Sequence, residues 1–224
     1  MQGKLLSSES FHEDRKATQK TGCLSVFLFP PFSAFFFGAL LFLGLINLPF
    51  NSLIERNQTQ LAPLFTPQVL KWEAQIQAWA NEYELDANLL ATVMQIESCG
   101  DPRALSPAGA MGLFQVMPYH FARGEDGFAP NMNALRGLSY LQKSLEHFGG
   151  DTGRALAGYN GGIQGASHPA NEWAEETRNY KYWGENIYAD ALAGLSNSAA
   201  LQEWLAAGGA SLCAQAEQLL AQVP

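Results

Sequence analysis

The chain has 224 residues, 47% of them hydrophobic, with a formal net charge of -8 and three cysteines. That length builds one domain with a sizeable core and leaves residues over for a separate segment. Four basic and three acidic residues fall within 1–22, leaving nine basic against eighteen acidic beyond; so acidic a balance excludes nucleic acid as a partner and gives no general attraction to an anionic polymer.

Residues 1–22 are polar, mixed in charge and without apolar periodicity, and read as a disordered cytoplasmic tail. No charge occurs between Lys20 and Glu55, and residues 23–50 are dominated by Phe, Leu, Val, Ile and Ala, long enough to cross a bilayer. Pro30 and Pro31 interrupt the first part, so the firmest helix is expected over Phe32 to Ile46. Four basic residues precede this segment and only Arg56 follows closely, which predicts a single-pass anchor with its N-terminus in the cytoplasm and the rest on the outer face. A cleaved signal peptide is the competing reading, but its polar start and its apolar core would both be unusually long. Residues 51–65 read as a polar linker.

Thr66-Pro67 looks like a helix N-cap followed by proline at the first helical position, with one helix running to Glu84. Asp86 caps the next helix, in which Leu89, Leu90, Val93, Met94 and Ile96 mark an apolar face and Glu97 falls in the last turn. Helices are further expected over Asn131 to Phe148, from Thr152 to the Gly161-Gly162 turn, and over Glu172 to Ala193. Ile163 to Asn171 reads as a polar loop. Residues 195–224 add a second amphipathic pattern interrupted by Gly208-Gly209. Cys99 and Cys213 are the two cysteines outside the apolar segment. A disulfide between them is one reading, and two free thiols is the preferred one, because nothing in the sequence brings the pair together.

The chemistry concentrates between Ile96 and Pro118. Glu97 closes an apolar helix at the end that carries negative partial charge, so its proton should be held more tightly than a free glutamate holds one. The alternative is an exposed glutamate at a frayed helix end. The Gly-, Pro- and Ser-rich stretch that follows leaves room above the carboxyl for a substrate. Asp101, pinned by Pro102, is a weak second acid whose alternative role is turn formation. His12, His120, His147 and His168 show no metal-ligand spacing, so neither a metal nor a cofactor is expected.

Four blocks occur in order: Glu97-Ser98 with Gly100-Asp101-Pro102; the run from Ser106-Pro107 through Gly109-Ala110, Gly112-Leu113, Gln115 and Met117-Pro118; Ala155 to Gly162; and Glu176-Thr177 with Tyr180. Together, over roughly residues 70–183, the chain resembles the soluble-lytic-transglycosylase (SLT-type) catalytic domain, a lysozyme-like family acting on peptidoglycan. Phe114 stands where that family commonly has Met, and Gly158 where it commonly has Ala.

The resemblance implies a mainly α, lysozyme-like helical domain over residues 66–194, with at most a minor β-hairpin; the apolar run before it adds one N-terminal transmembrane helix. It implies Glu97 as the catalytic acid and base, with Ser106, Gln115, Tyr159, Asn160, Glu176 and Tyr180 around the substrate; turn capping or core packing are the other roles open to these side chains. It implies cleavage of the bond between N-acetylmuramic acid and N-acetylglucosamine without water, leaving a 1,6-anhydro sugar. The expected partners are peptidoglycan glycan strands and, through the N-terminal helix, the bacterial inner membrane, with the chain a monomer that can serve in a cell-envelope assembly. A hydrolase on the same scaffold and a non-catalytic wall-binding module are the alternatives.

Overall fold

The computed structural model describes residues 60–221. The predicted tail 1–22, the predicted membrane segment 23–50 and all but the end of the 51–65 linker lie outside the described residues. Among the described residues no helix is long and apolar enough to cross a membrane.

The described chain is mainly helical: α1 (Pro67–Leu70), α2 (Glu73–Tyr83), α3 (Ala87–Ser98), α4 (Pro130–His147), α5 (Thr152–Gly161), α6 (Ile163–Ala166), α7 (Glu175–Leu192), α8 (Ala199–Trp204) and α9 (Ala210–Leu220). Short 3-10 turns sit at Pro118–His120 and Ala170–Glu172. In place of a β-hairpin there are two isolated antiparallel bridges, Leu105 with Met111 and Met111 with Val116.

The fold is built around α3. Asp86 caps it by accepting from the backbone amides of Asn88 and Leu89, which satisfies donors the helix itself cannot. Every residue from Leu89 to Ile96 is buried, so a helix apolar on nearly all sides runs through the protein's centre. It packs between α2 and α7, and α7 in turn lies along α5, which rests on α4. Leu90, Met94, Phe114, Leu138, Leu156 and Ile187 are fully enclosed at the junction. Residues 61–65 join this core: Leu61, Leu64 and Phe65 are buried, and the amides of Leu61 and Ala62 donate to Glu73 and Asn88.

Four expectations about helices and their caps are corrected. The single helix from Pro67 to Glu84 is divided at Lys71-Trp72, where the Trp72 indole turns away to donate to the Gly100 carbonyl at 2.8 Å. Thr66 does not cap α1 with its side chain; its hydroxyl and amide both donate to the buried Gln95 side chain of α3. The presumed loop 163–171 contains α6, which buries Ile163 and Ala166, and α7 begins at Glu175 rather than Glu172.

The cysteines are not free thiols. Cys99, at the C-cap of α3, is disulfide-bonded to Cys213 on α9 with a Cα–Cα distance of 5.0 Å. Residues 195–221 include a pair of helices bent at Gly208, whose φ is 130°, and α9 packs on α1 and α3.

The glycine at 158 also finds its reason. A Cβ there would approach the Ser144 hydroxyl to 2.4 Å, and that hydroxyl donates to the Ala155 carbonyl across the α4–α5 contact. Ser144 therefore occupies the space that alanine would take.

The disulfide closes a loop of 114 residues, for which the chain-entropy account gives about 5 kcal/mol as an upper figure, native disulfides delivering about 2–4. Replacing both cysteines with alanine is expected to lower unfolding free energy by about 2–4 kcal/mol in urea titration while α-helical circular dichroism is retained.

Candidate functional site

Glu97 stands in the last turn of α3, and the backbone after it is redirected at once. Cys99 takes the left-handed conformation with φ 51°. The Ser98 hydroxyl donates to the Leu113 carbonyl at 2.7 Å and accepts from the Gly100 amide at 3.1 Å, so the helix end is fastened to the loop that folds over it. That loop is held from the other side by Asn133 of α4. Its Nδ2 donates to the carbonyls of Met111 and Gly127, and its Oδ1 accepts from the Phe114 amide. Asn133 is completely buried, so the pairing of its amide satisfies a group that would otherwise be strongly destabilising. Gly112 must be glycine here: with φ 73°, a Cβ would meet the Asn133 amide at 2.6 Å.

The result is a groove of about 300 Å³ above the Glu97 carboxyl. Glu97, Ser106, Gln115, Tyr159, Asn160 and Glu176 all line it, and Tyr180 is buried against Glu97. Several of these side chains also hold the groove in shape. The Ser106 hydroxyl accepts from the Ala110 amide. Gln115, itself at φ 45°, donates through Nε2 to the carbonyls of Ala104 and Gly112, which leaves its oxygen for the groove. The Tyr159 hydroxyl donates to the Phe114 carbonyl at 2.7 Å. Asn160 accepts from Thr177 through Oδ1 at 2.8 Å, so its Nδ2 is the atom left to bind. Asp101 does not line the groove; it is buried and accepts from the Arg103 amide, which gives it a turn-forming role.

The Glu97 proton is retained. Burial is the largest influence, a contact with Tyr180 opposes it, and the Glu176 charge adds to it, so that the carboxyl is pushed up from 4.5 to about 8. The Tyr180 hydroxyl is buried without a hydrogen bond of ordinary geometry, although it faces Glu97 closely enough for the two groups to influence each other's ionisation. Burial and the Glu97 charge likewise hold the Tyr159 and Tyr180 phenols protonated well above pH 10. Around neutrality the site therefore presents one neutral carboxylic acid among neutral hydroxyl and amide groups, with the exposed Glu176 at its edge. Such an acid can protonate a leaving oxygen and, once ionised, accept a proton.

Other groove residues were not expected at the site from the sequence: Tyr119, His120, Arg136 and Tyr140. Arg136 and Tyr140 lie four apart on α4, the spacing of one helix face, and Tyr119 and His120 follow directly on the Met117-Pro118 block. Those were the available signals. Arg136 is ion-paired with Glu125 through two of its nitrogens.

The Transglycosylase SLT domain profile matches residues 74–184. A protein described as transglycosylase of Enterobacteria phage PRD1 is 37% identical over 114 residues, which is 50% of this chain and 40% of the phage protein. Membrane-bound lytic murein transglycosylase C of Mannheimia succiniciproducens is 34% identical over 84 residues, 32% of this chain and 24% of the relative. The chain thus spans less than half the length of either. A solved structure of lytic transglycosylase Slt from Pseudomonas aeruginosa, in an inactive mutant form, is similar with 21% identity and a TM-score of 0.45, covering 57% of this chain and 25% of that one.

The raised carboxyl has a consequence for stability. As pH rises from 4.5, the unfolded chain releases the Glu97 proton and the folded chain keeps it until about 8, so wild-type stability falls across that window relative to a variant lacking the acid. Glu97→Gln is expected to match wild type at pH 4 and to exceed it at pH 8 by about 1–3 kcal/mol, the range allowing for partial exposure to solvent. Urea unfolding at the two pH values measures it.

Proposed function

We propose, from the match of residues 74–184 to the transglycosylase SLT domain family, that the chain is a lytic transglycosylase cleaving the β-1,4 bond between N-acetylmuramic acid and N-acetylglucosamine in peptidoglycan. The observation that carries the reading is the Glu97 carboxyl, kept protonated up to about pH 8 in a groove that also presents the hydroxyl and amide groups of Ser106, Gln115, Tyr159 and Asn160.

In the proposed cycle, neutral Glu97 gives its proton to the glycosidic oxygen as the bond to muramoyl C1 breaks. The substrate's acetamido group meets the positive charge developing at C1, as in glycosidases that lack a carboxylate nucleophile. Ionised Glu97 then takes the proton of the muramoyl C6 hydroxyl, whose oxygen bonds to C1. The acid is regenerated, no water is consumed, and a 1,6-anhydro end remains. Ser106, Gln115 and Asn160 would hold the acetamido group and the flanking hydroxyls, Tyr159 the floor, and Tyr180 the Glu97 carboxyl as its charge appears, when the buried phenol gains the partner it lacks. Glu176 would steady the groove wall or touch a peptide stem.

The domain would work outside the cytoplasm, tethered by residues 23–50 to the inner membrane. The disulfide supports an oxidising compartment, and one relative is described as membrane-bound. A hydrolase is the second reading, because Glu176 puts another carboxylate on the same groove and two carboxylates can direct a water.

Digestion of peptidoglycan sacculi followed by mass spectrometry tests both. Anhydro-ended products, one water lighter than hydrolysed ends, are expected, with a drop of at least about a thousandfold in rate for Glu97→Gln; hydrolysed ends would establish the second reading. The rate should fall on the alkaline side with an apparent pKa about 8. In Tyr180→Phe that limb should move upward, because the contact that lowers the Glu97 value is gone.

A further inference from the structure

Tyr119 is the most exposed large apolar or aromatic side chain among the described residues, at 75%, yet it is not a stray surface ring. It lines the same groove as Glu97 and stands on the 3-10 turn Pro118–His120, whose first residue is a proline with φ fixed by its ring. Its ring lies 4.5 Å from His120, His120 lies 5.1 Å from Tyr140, and Tyr140 lies 6.0 Å from Tyr159, all measured between centroids. The inner end of this row is anchored, since the Tyr159 hydroxyl donates to the Phe114 carbonyl and the Tyr140 hydroxyl accepts from the Ile163 amide. Four rings in series thus run from the groove floor to its rim, the outermost offering a face to solvent.

We propose that Tyr119, braced by His120 and Tyr140, is a stacking platform for a pyranose ring of the glycan strand next to the linkage above Glu97, and so sets affinity for the strand rather than the rate of bond cleavage. The proposal rests on the transglycosylase reading and deepens it. The physical case has three parts. The chain beyond residue 22 is strongly acidic, so capture of an anionic wall polymer must come from local contacts. The groove's amides and hydroxyls supply hydrogen bonds and its Ala108, Ala110, Val116 and Met117 supply aliphatic contact, whereas a sugar presents a face of C–H groups that suits the negative face of an aromatic ring. A ring already packed on a neighbour loses little rotamer freedom on binding, so most of the contact energy is kept as affinity. Burial and nearby Lys143 lower the His120 pKa, so the brace is an uncharged imidazole at neutral pH and the platform carries no charge of its own.

The test is steady-state cleavage of purified glycan strands by the full-length chain in detergent. Tyr119→Ala is expected to raise KM about tenfold, a loss of about 1.4 kcal/mol, with kcat changed less than about threefold. Tyr119→Phe and Tyr119→Trp should restore KM, because the ring face and not the hydroxyl is used, and His120→Ala should fall between wild type and Tyr119→Ala. Tyr182→Ala, which removes an exposed tyrosine that does not line the groove, should leave KM unaltered. A KM for Tyr119→Ala within twofold of wild type, or failure of Phe to restore it, overturns the platform. Binding of the N-acetylglucosamine tetramer to Glu97→Gln protein by calorimetry decides the matter apart from turnover. A tenfold weaker complex when Tyr119→Ala is added supports the platform even if the wild-type chain cleaves nothing, and equal binding rejects it even if the chain is fully active.

Discussion

A carboxyl group largely withdrawn from water at the wrong end of a helix is the constraint on which the remaining structure depends. Glu97 ends α3 where backbone carbonyls point outward and disfavour an anion, and burial raises its proton affinity further. A side chain so placed would ordinarily swing into solvent. It is prevented from doing so because both helix ends and the chain beyond are fastened: Asp86 at the start, Ser98 to Leu113 at the end, and the disulfide from Cys99 to α9. The fold therefore spends stability at the residue that does the chemistry, which is the usual relation between a functional site and its scaffold.

The groove around Glu97 is built by elements other than the helix that carries it. The loop from Gly100 to Ala129 contributes its shape through backbone turns pinned by Asn133, Gln115 and Ser106. The end of α5 contributes Tyr159 and Asn160, and α7 contributes Glu176 and Tyr180. Because α5 rests on both α4 and α7, these groups are positioned by helices rather than by free loops, and their geometry is set before any substrate arrives.

How much of this was legible in the sequence depends on whether the cause is local. The α3 helix was, because Asp86 and the spacing of Leu89, Leu90, Val93, Met94 and Ile96 encode cap and face together, and Glu97 follows by position. The seven predicted site residues come together in space although they lie on four separate stretches, and the resemblance in ordered blocks is what named them. The disulfide was not legible, since pairing across 114 residues is a tertiary fact. Nor was the break at Trp72, where an indole bond to Gly100 overrides a continuous helical pattern. The segment after Gly162 misled because its polar residues hide two buried positions, Ile163 and Ala166. Tyr119, His120, Arg136 and Tyr140 were missed because their meeting over Glu97 depends on how α4 packs, which hydrophobic periodicity does not specify.

The most direct measurement is a carbon NMR titration of the Glu97 carboxyl in the folded protein, assigned by comparison with Glu97→Gln. A midpoint about 8, well separated from the other glutamates, is the result that follows from the buried acid. A midpoint about 4.5, the value of a glutamate in water, would contradict it and with it the role given to this side chain.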